Sequence, residues 1–229
     1  MQTRAQLALS KALRQSAFHL MGAIDRFEIK QLMVLGNNEE LVVLLQETYY
    51  DAEIYSCAYN KLPAKGAFDL IFANDGLQYI TKQEAYITQL FGLLASGGSL
   101  AVQLPNALNM PIQVMLEQIA NDKPWKEYFN DIMLYYYEPA YYYEILHKLT
   151  DSVCLWKTYY QMVFSHYQEI VDLYALTEMK SYMNSLPTNK MRETFQNNLV
   201  QLLPAAYKKQ SNQAILFPYR RTFFIAKKQ

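Results

Sequence analysis

The sequence has no excess of charge of either sign. Its 21 basic and 21 acidic residues cancel at pH 7, so neither nucleic acid nor an anionic membrane surface is indicated as a main partner. It has no apolar run long enough to cross a bilayer, so no membrane insertion is expected. Cysteine is scarce. Cys57 and Cys154 are far apart and make no metal-ligand spacing. They read as structural thiols of a protein in the reducing cytoplasm, with no metal. Near the amino end, Arg4, Lys11 and Arg14 are scattered among leucines and alanines, without the compact apolar segment of a signal peptide. Leu9, Leu13, Leu20 and Ile24 instead lie near helical spacing, which predicts an amphipathic helix over residues 6–24.

What is present is a globular composition. Over 229 residues, 52 % are apolar and 18 % charged. That suffices for one domain with a sizeable core, or a domain plus a cap. Twenty tyrosines beside so little charge hint at surfaces that become covered. Strand-like runs alternate with helical patterns. Strands are expected at residues 31–36, 52–58, 68–74 and 99–105, with helices at 39–49 and 82–94. Near-continuous apolar strands between helices predict a doubly wound, mostly parallel sheet. The ligand crevice of such a sheet lies at the carboxyl ends of its strands. Gly36, Asn37, Asn38, Asn60, Asn74, Asp75, Pro105 and Asn106 should therefore share one rim.

The second half reads as irregular or helical over residues 109–143, a strand at 152–160, helices at 166–176, 180–185 and 191–207, and a strand pair or interrupted strand at the end. One unit over residues 1–229 is expected, with 109–150 and 161–210 supplying a mostly helical cap.

Four stretches, "FDLIFANDGLQYI", "LLASGGSLAVQLPNALNMP", "YYYEILHKLTDSVCLWKTYYQM" and "ILFPYRRTFFIAKK", resemble the trans-aconitate methyltransferases, class I S-adenosylmethionine (SAM) enzymes. The resemblance runs through nearly the whole chain in order. It implies a Rossmann-like class I methyltransferase fold with a helical cap.

The departures from that family fall on its binding motifs. Its acidic residue at the end of strand one aligns with Val34, and of its loop glycines only Gly36 remains, followed by Asn37, Asn38, Glu39 and Glu40. Loop glycines let backbone amides approach the cofactor, and a helix N-terminus receives its carboxylate. Two glutamates in that first turn would repel it. The ribose-binding acid aligns with Ala58, which accepts no hydrogen bond, and Asn60 is only a partial substitute. Only "NKLPAKGA" separates strand two from "FDLIFAN", whereas a parallel crossover takes a dozen residues or more. A sheet truncated at the strand-three edge follows. The family's substrate-side "TGLRP" reads "TEMKS", with Lys180 in place of the arginine fork. Lys180 and Tyr160 would line the remnant of a substrate pocket.

These departures lead to a functional expectation. Val34, Gly36, Asn37, Asn38, Ala58 and Asn74 are degenerate cofactor positions, no cofactor is expected, and no catalytic residue is assigned. Asn74 and Asp75 read as a solvated turn. His19, His147 and His166 read as helix-face or cap histidines. Tyr135, Tyr136 and Tyr137 are the candidate interface for another protein. The chain then reads as a catalytically silent adaptor or structural subunit of a larger bacterial assembly, such as a secretion apparatus. Two alternatives stand beside it: an active SAM-dependent methyltransferase of a small carboxylic acid, and a small-molecule binding protein reusing the old substrate pocket.

Overall fold

Runs such as Leu32 to Leu35 and Leu70 to Ala73 are apolar at every position and buried at every position. That is the signature of strands covered on both faces. The computed structural model describes residues 3–25, 28–36 and 38–229. Helix α1 spans Arg4–Gly22, β1 Gln31–Leu35, α2 Glu39–Thr48, β2 Glu53–Cys57 and β3 Phe68–Asn74. Helix α3 (Gln83–Gly92), β4 (Leu94–Pro105), α4 (Pro111–Asn121) and α5 (Pro139–Leu146) follow. Strand β5 (Val153–Phe164), α6 (Tyr167–Leu176), α7 (Lys180–Ser185), α8 (Asn189–Ala206) and β6 (Ile215–Lys227) complete the order. The strands form one six-stranded sheet in the order β2-β1-β3-β4-β6-β5. Strands β2, β1, β3 and β4 are parallel, and β6 runs antiparallel to β4. The carboxyl end of the chain makes one continuous strand rather than a pair.

The truncated edge is as expected. Strand β2 ends the sheet, and residues 58–67 contain neither helix nor strand among the described residues. About ten extended residues reach roughly 33 Å, enough to descend past a seven-residue strand of about 23 Å. They leave nothing over for a helix. The edge strand is short, and its side chains are mostly exposed, which limits edge pairing.

The chain divides into two units. The first comprises Leu13–Asn106, Tyr135–Thr158 and Arg220–Gln229. One face of its sheet packs Met33, Leu35, Ile71, Ala73, Leu100, Val102, Leu104, Phe224 and Ala226 against α3 and α5. Helix α2 starts at Asn38, whose side chain accepts from Leu41 N–H at 3.1 Å. Glu39 and Glu40 in its first turn complement the helix dipole.

The second unit comprises Met1–Ala12, Ala107–Leu134 and Tyr159–Tyr219. Helix α8, capped by Thr188, buries Phe195, Leu199 and Leu203 on one stripe. Phe195 meets Trp125 at 5.2 Å and Phe129 at 5.0 Å between ring centroids. Phe217 gathers Phe164, Tyr174 and Tyr207 around it. His166 caps α6, and His147 ends α5, as expected of cap and helix-face histidines. No helix among the described residues is long and apolar enough to cross a membrane.

Candidate functional site

Strand order reverses direction at β1, whose neighbours are β2 and β3. In an open α/β sheet this point opens the ligand crevice, just beyond the carboxyl ends of the strands. Gly36 follows β1 there at φ +101°, a conformation suited to glycine. Its N–H donates to Cys57 at 2.9 Å, and its carbonyl accepts from Ser56 Oγ at 3.1 Å. Across the crevice, β3 runs into Asp75 and Gly76 at φ +80° and +109°.

Tyr59, two residues past β2, crosses between these loops. Its ring lies 3.5 Å from where a Cβ on Gly36 would sit, and it fills the place of a Cβ on Gly76. Its hydroxyl donates to the Asp75 carbonyl. Burial, and then the nearby Asp75 charge, push the phenol well above its ordinary pKa, so it stays a donor. Gln78 and the Gly76 N–H both donate to Asp75 Oδ1, at 2.6 and 2.9 Å.

Asn74 and Asp75 are therefore no solvated turn. Asn74 is 8 % exposed, with its amide nitrogen on the Leu13 carbonyl at 3.2 Å. Ser16 Oγ donates to the Leu13 carbonyl at 2.9 Å and stands 3.4 Å from both Asn74 Oδ1 and Gln103 Oε1. The carboxyl half of α1 is thereby fastened over the ends of β3 and β4. Gln103 is fully buried, and its Nε2 has no hydrogen-bond partner among the described residues. Arg221, also fully buried, brings Nη1 to 3.5 Å from Asp75 Oδ2.

The other positions read from the sequence are scattered. Val34 is fully buried in the sheet, between Ser56 and Phe72, so it faces no ligand. Ala58 is half-buried, Asn38 and Asn60 are exposed, and Asn37 lies outside the described residues. Lys180 is exposed at the start of α7, and Tyr160 is half-buried on β5. Tyr135, Tyr136 and Tyr137 are each half-buried. The Tyr135 backbone is held by Gln78 and Gln83, and Tyr137 stacks on Tyr141 at 3.9 Å.

The sequence reading missed Ser16, Tyr59, Gln103 and Arg221. Two of them left a signal. Gln103 interrupts an apolar strand. Arg220 and Arg221 are adjacent in another, and since successive strand residues face opposite sides, one of two neighbours turns inward.

No family model matches the chain. Relatives named trans-aconitate 2-methyltransferase do match it. The Acidovorax sp. (strain JS42) protein is 28 % identical over 213 residues, covering 90 % of this chain and 80 % of the relative. That of Methylobacterium radiotolerans is 31 % identical over 165 residues, covering 70 % and 63 %. The chain is a homologue of the trans-aconitate 2-methyltransferases. Solved methyltransferases share its fold. A Haemonchus contortus phosphoethanolamine N-methyltransferase 2, solved with phosphomonomethylethanolamine and S-adenosylhomocysteine, superposes with a TM-score of 0.55 at 10 % identity, covering 94 % of this chain and 53 % of that one. A Bacillus halodurans methyltransferase gives 0.51 at 8 % identity, covering 93 % and 99 %. The architecture is that of the Rossmann-like class I methyltransferases.

This relationship corrects the functional expectation. Relatives matched over 90 % of the chain are named as methyltransferases, which speaks against a silent adaptor and for the alternative of an active enzyme. Expecting no cofactor likewise finds no support among relatives of this kind.

The crevice residues do not fit SAM in this conformation. The Gly36 N–H and carbonyl are already taken by Cys57 and Ser56, the Tyr59 ring spans the crevice from Gly36 to Gly76, and the Ala58 side chain offers the ribose no acceptor.

Proposed function

We propose that this protein is a SAM-dependent methyltransferase of a small carboxylic acid, in a state in which Tyr59 closes its cofactor crevice. The relation to trans-aconitate 2-methyltransferases across 90 % of the chain supports this reading most. SAM would supply an electrophilic methyl group. A carboxylate acceptor is already anionic at neutral pH, so the reaction calls for no dedicated base. The work left to the chain is holding and aligning the acceptor.

Its residues suit that work. Ser16, through Leu13, Asn74 and Gln103, keeps α1 over the rim. Asp75 is held by Gly76 and Gln78, which fixes the loop beside the crevice. Tyr59 must rotate off Gly36 and Gly76 before the crevice can take a nucleoside.

The test is transfer of labelled methyl from SAM to trans-aconitate by the purified chain, with titration of S-adenosylhomocysteine alongside. Enzyme-dependent transfer to the acid is expected. Absence of both transfer and S-adenosylhomocysteine binding, in the wild type and in Tyr59→Ala alike, overturns the reading.

A further inference from the structure

The register places Arg221 with unusual company. Asn74 is opposed to Gln103 across β3 and β4, and Gln103 to Phe223 across β4 and β6. Arg221 is opposed to Pro105, two residues nearer the rim. Opposed residues and every second residue share a face, so Asn74, Gln103, Phe223 and Arg221 lie on one face. Arg221 is the closest of them to the carboxyl rim. The carboxyl half of α1 covers the inner part of this face, through Ser16 and through the His19 edge on Phe223 at 5.8 Å.

A wholly buried guanidinium is costly unless a negative charge opposes it. Asp75 does so at 3.5 Å, longer than the roughly 2.7–2.9 Å of a charge-assisted hydrogen bond. The carboxylate is anchored elsewhere, with Oδ1 taken by Gly76 and Gln78. It sits on a residue at φ +80°, a conformation that non-glycine residues rarely adopt and that gathers at functional sites. The Asp75 side chain is 23 % exposed, so the ion pair adjoins solvent on its Asp75 side. Gln103 Nε2, on the same face, is a buried donor without a partner among the described residues, which a ligand oxygen would satisfy.

We propose that Arg221 is the carboxylate-binding residue of this rim, a specificity determinant that takes one carboxylate of a small polycarboxylic acid in its planar fork. Gln103 supplies a further donor, and Asp75 holds the guanidinium until the ligand engages it. The ligand class rests on the methyltransferase reading above. Arginine suits the role because its fork matches a carboxylate at two points, which lysine cannot do.

The experiment is calorimetric titration of the whole chain with trans-aconitate and with its trimethyl ester, on wild type, Arg221→Lys, Arg221→Gln and Asp75→Asn. Thermal melts with and without each probe run alongside. The wild type should bind the acid and not the ester. Arg221→Lys should weaken acid binding at least tenfold, and Arg221→Gln should abolish it. Asp75→Asn should tighten it several-fold and melt lower without the acid, regaining stability when the acid is added. An arginine that serves the fold alone would shift the melts and leave acid affinity untouched. If Arg221→Gln does not fold, Arg221→Lys and Asp75→Asn decide. Acid binding equal in wild type and Arg221→Lys, or no acid binding by the wild type, overturns the inference. A chain that binds acid through Arg221 yet neither transfers methyl nor binds S-adenosylhomocysteine, with or without Tyr59, keeps this inference and loses the function proposed above. Undiminished transfer by Arg221→Lys does the reverse.

Discussion

Tyr59 packs against Gly76, its ring in the volume that any side chain at residue 76 would need. Gly76 stands at φ +109°, so the contact joins a backbone only glycine holds comfortably to a ring that only glycine admits. The same ring borders Gly36, so one aromatic side chain closes the crevice between the ends of β1 and β3.

If the ring closes the crevice, removing it should open the crevice. Tyr59→Ala should raise affinity for S-adenosylhomocysteine about tenfold, a change of about 1.4 kcal/mol. Tyr59→Phe keeps the ring and loses the hydroxyl bond to Asp75, so it should gain less. Calorimetric titration of the three proteins checks this. An affinity lowered by Tyr59→Ala would make the ring a wall of the site and not its closure.

Gly76→Ala carries two penalties and Gly97→Ala one. Gly97 sits at φ +78° with nothing within 4 Å of a Cβ, so its replacement should cost about 1 kcal/mol from backbone strain alone. Gly76→Ala adds overpacking against Tyr59 and should cost about 3 kcal/mol. In a Tyr59→Ala background the difference between the two glycines should narrow. Urea denaturation of each variant measures it, and equal losses at the two positions would refute the packing argument.

Glu169 gives a pH dependence of known sign. Burial alone would raise its pKa, but the Ser165 N–H, Arg4 and the His166 N–H together outweigh burial and lower it. A lowered carboxylate stabilises the fold above its unfolded value and loses that contribution as pH falls through the folded one. Arg4 is 83 % exposed, so the backbone donors carry most of the effect. Glu169→Gln should therefore cost about 1 kcal/mol at pH 7, the scale of a lost helix cap. The gap to wild type should shrink as pH falls below about 4.3. Denaturation at pH 7 and pH 3.5 tests both statements.

Strand β2 should open before the strands inside the sheet. It is paired on one side only, to β1, and four of its five side chains are at least partly exposed. Amides of Glu53–Cys57 should exchange with deuterium well before those of Phe68–Asn74, which lie between β1 and β4. Equal protection in native-state exchange would mean that the edge is covered in solution.

The sequence by itself determined the α/β class, the parallel strands, the missing edge strand and most helix positions. These follow from short-range physics: apolar periodicity and a connection too short to hold a helix. It also carried the family resemblance, though the departures at Val34, Gly36 and Ala58 led to a functional expectation that the relatives overturned. Tertiary structure alone decided what stands at the rim. Asp75 read as a solvated turn because Asn74, Asp75 and Gly76 in succession after a strand are turn-forming residues. Its neighbour in space is Arg221, brought there by the register of an antiparallel strand from the far end of the chain. Ser16 meets Asn74 and Gln103 because α1 folds back over the sheet. Tyr59 reaches Gly76 because two strand ends meet at the point where strand order reverses. No local pattern encodes these meetings, since register and packing are set by the whole core and not by adjacent residues.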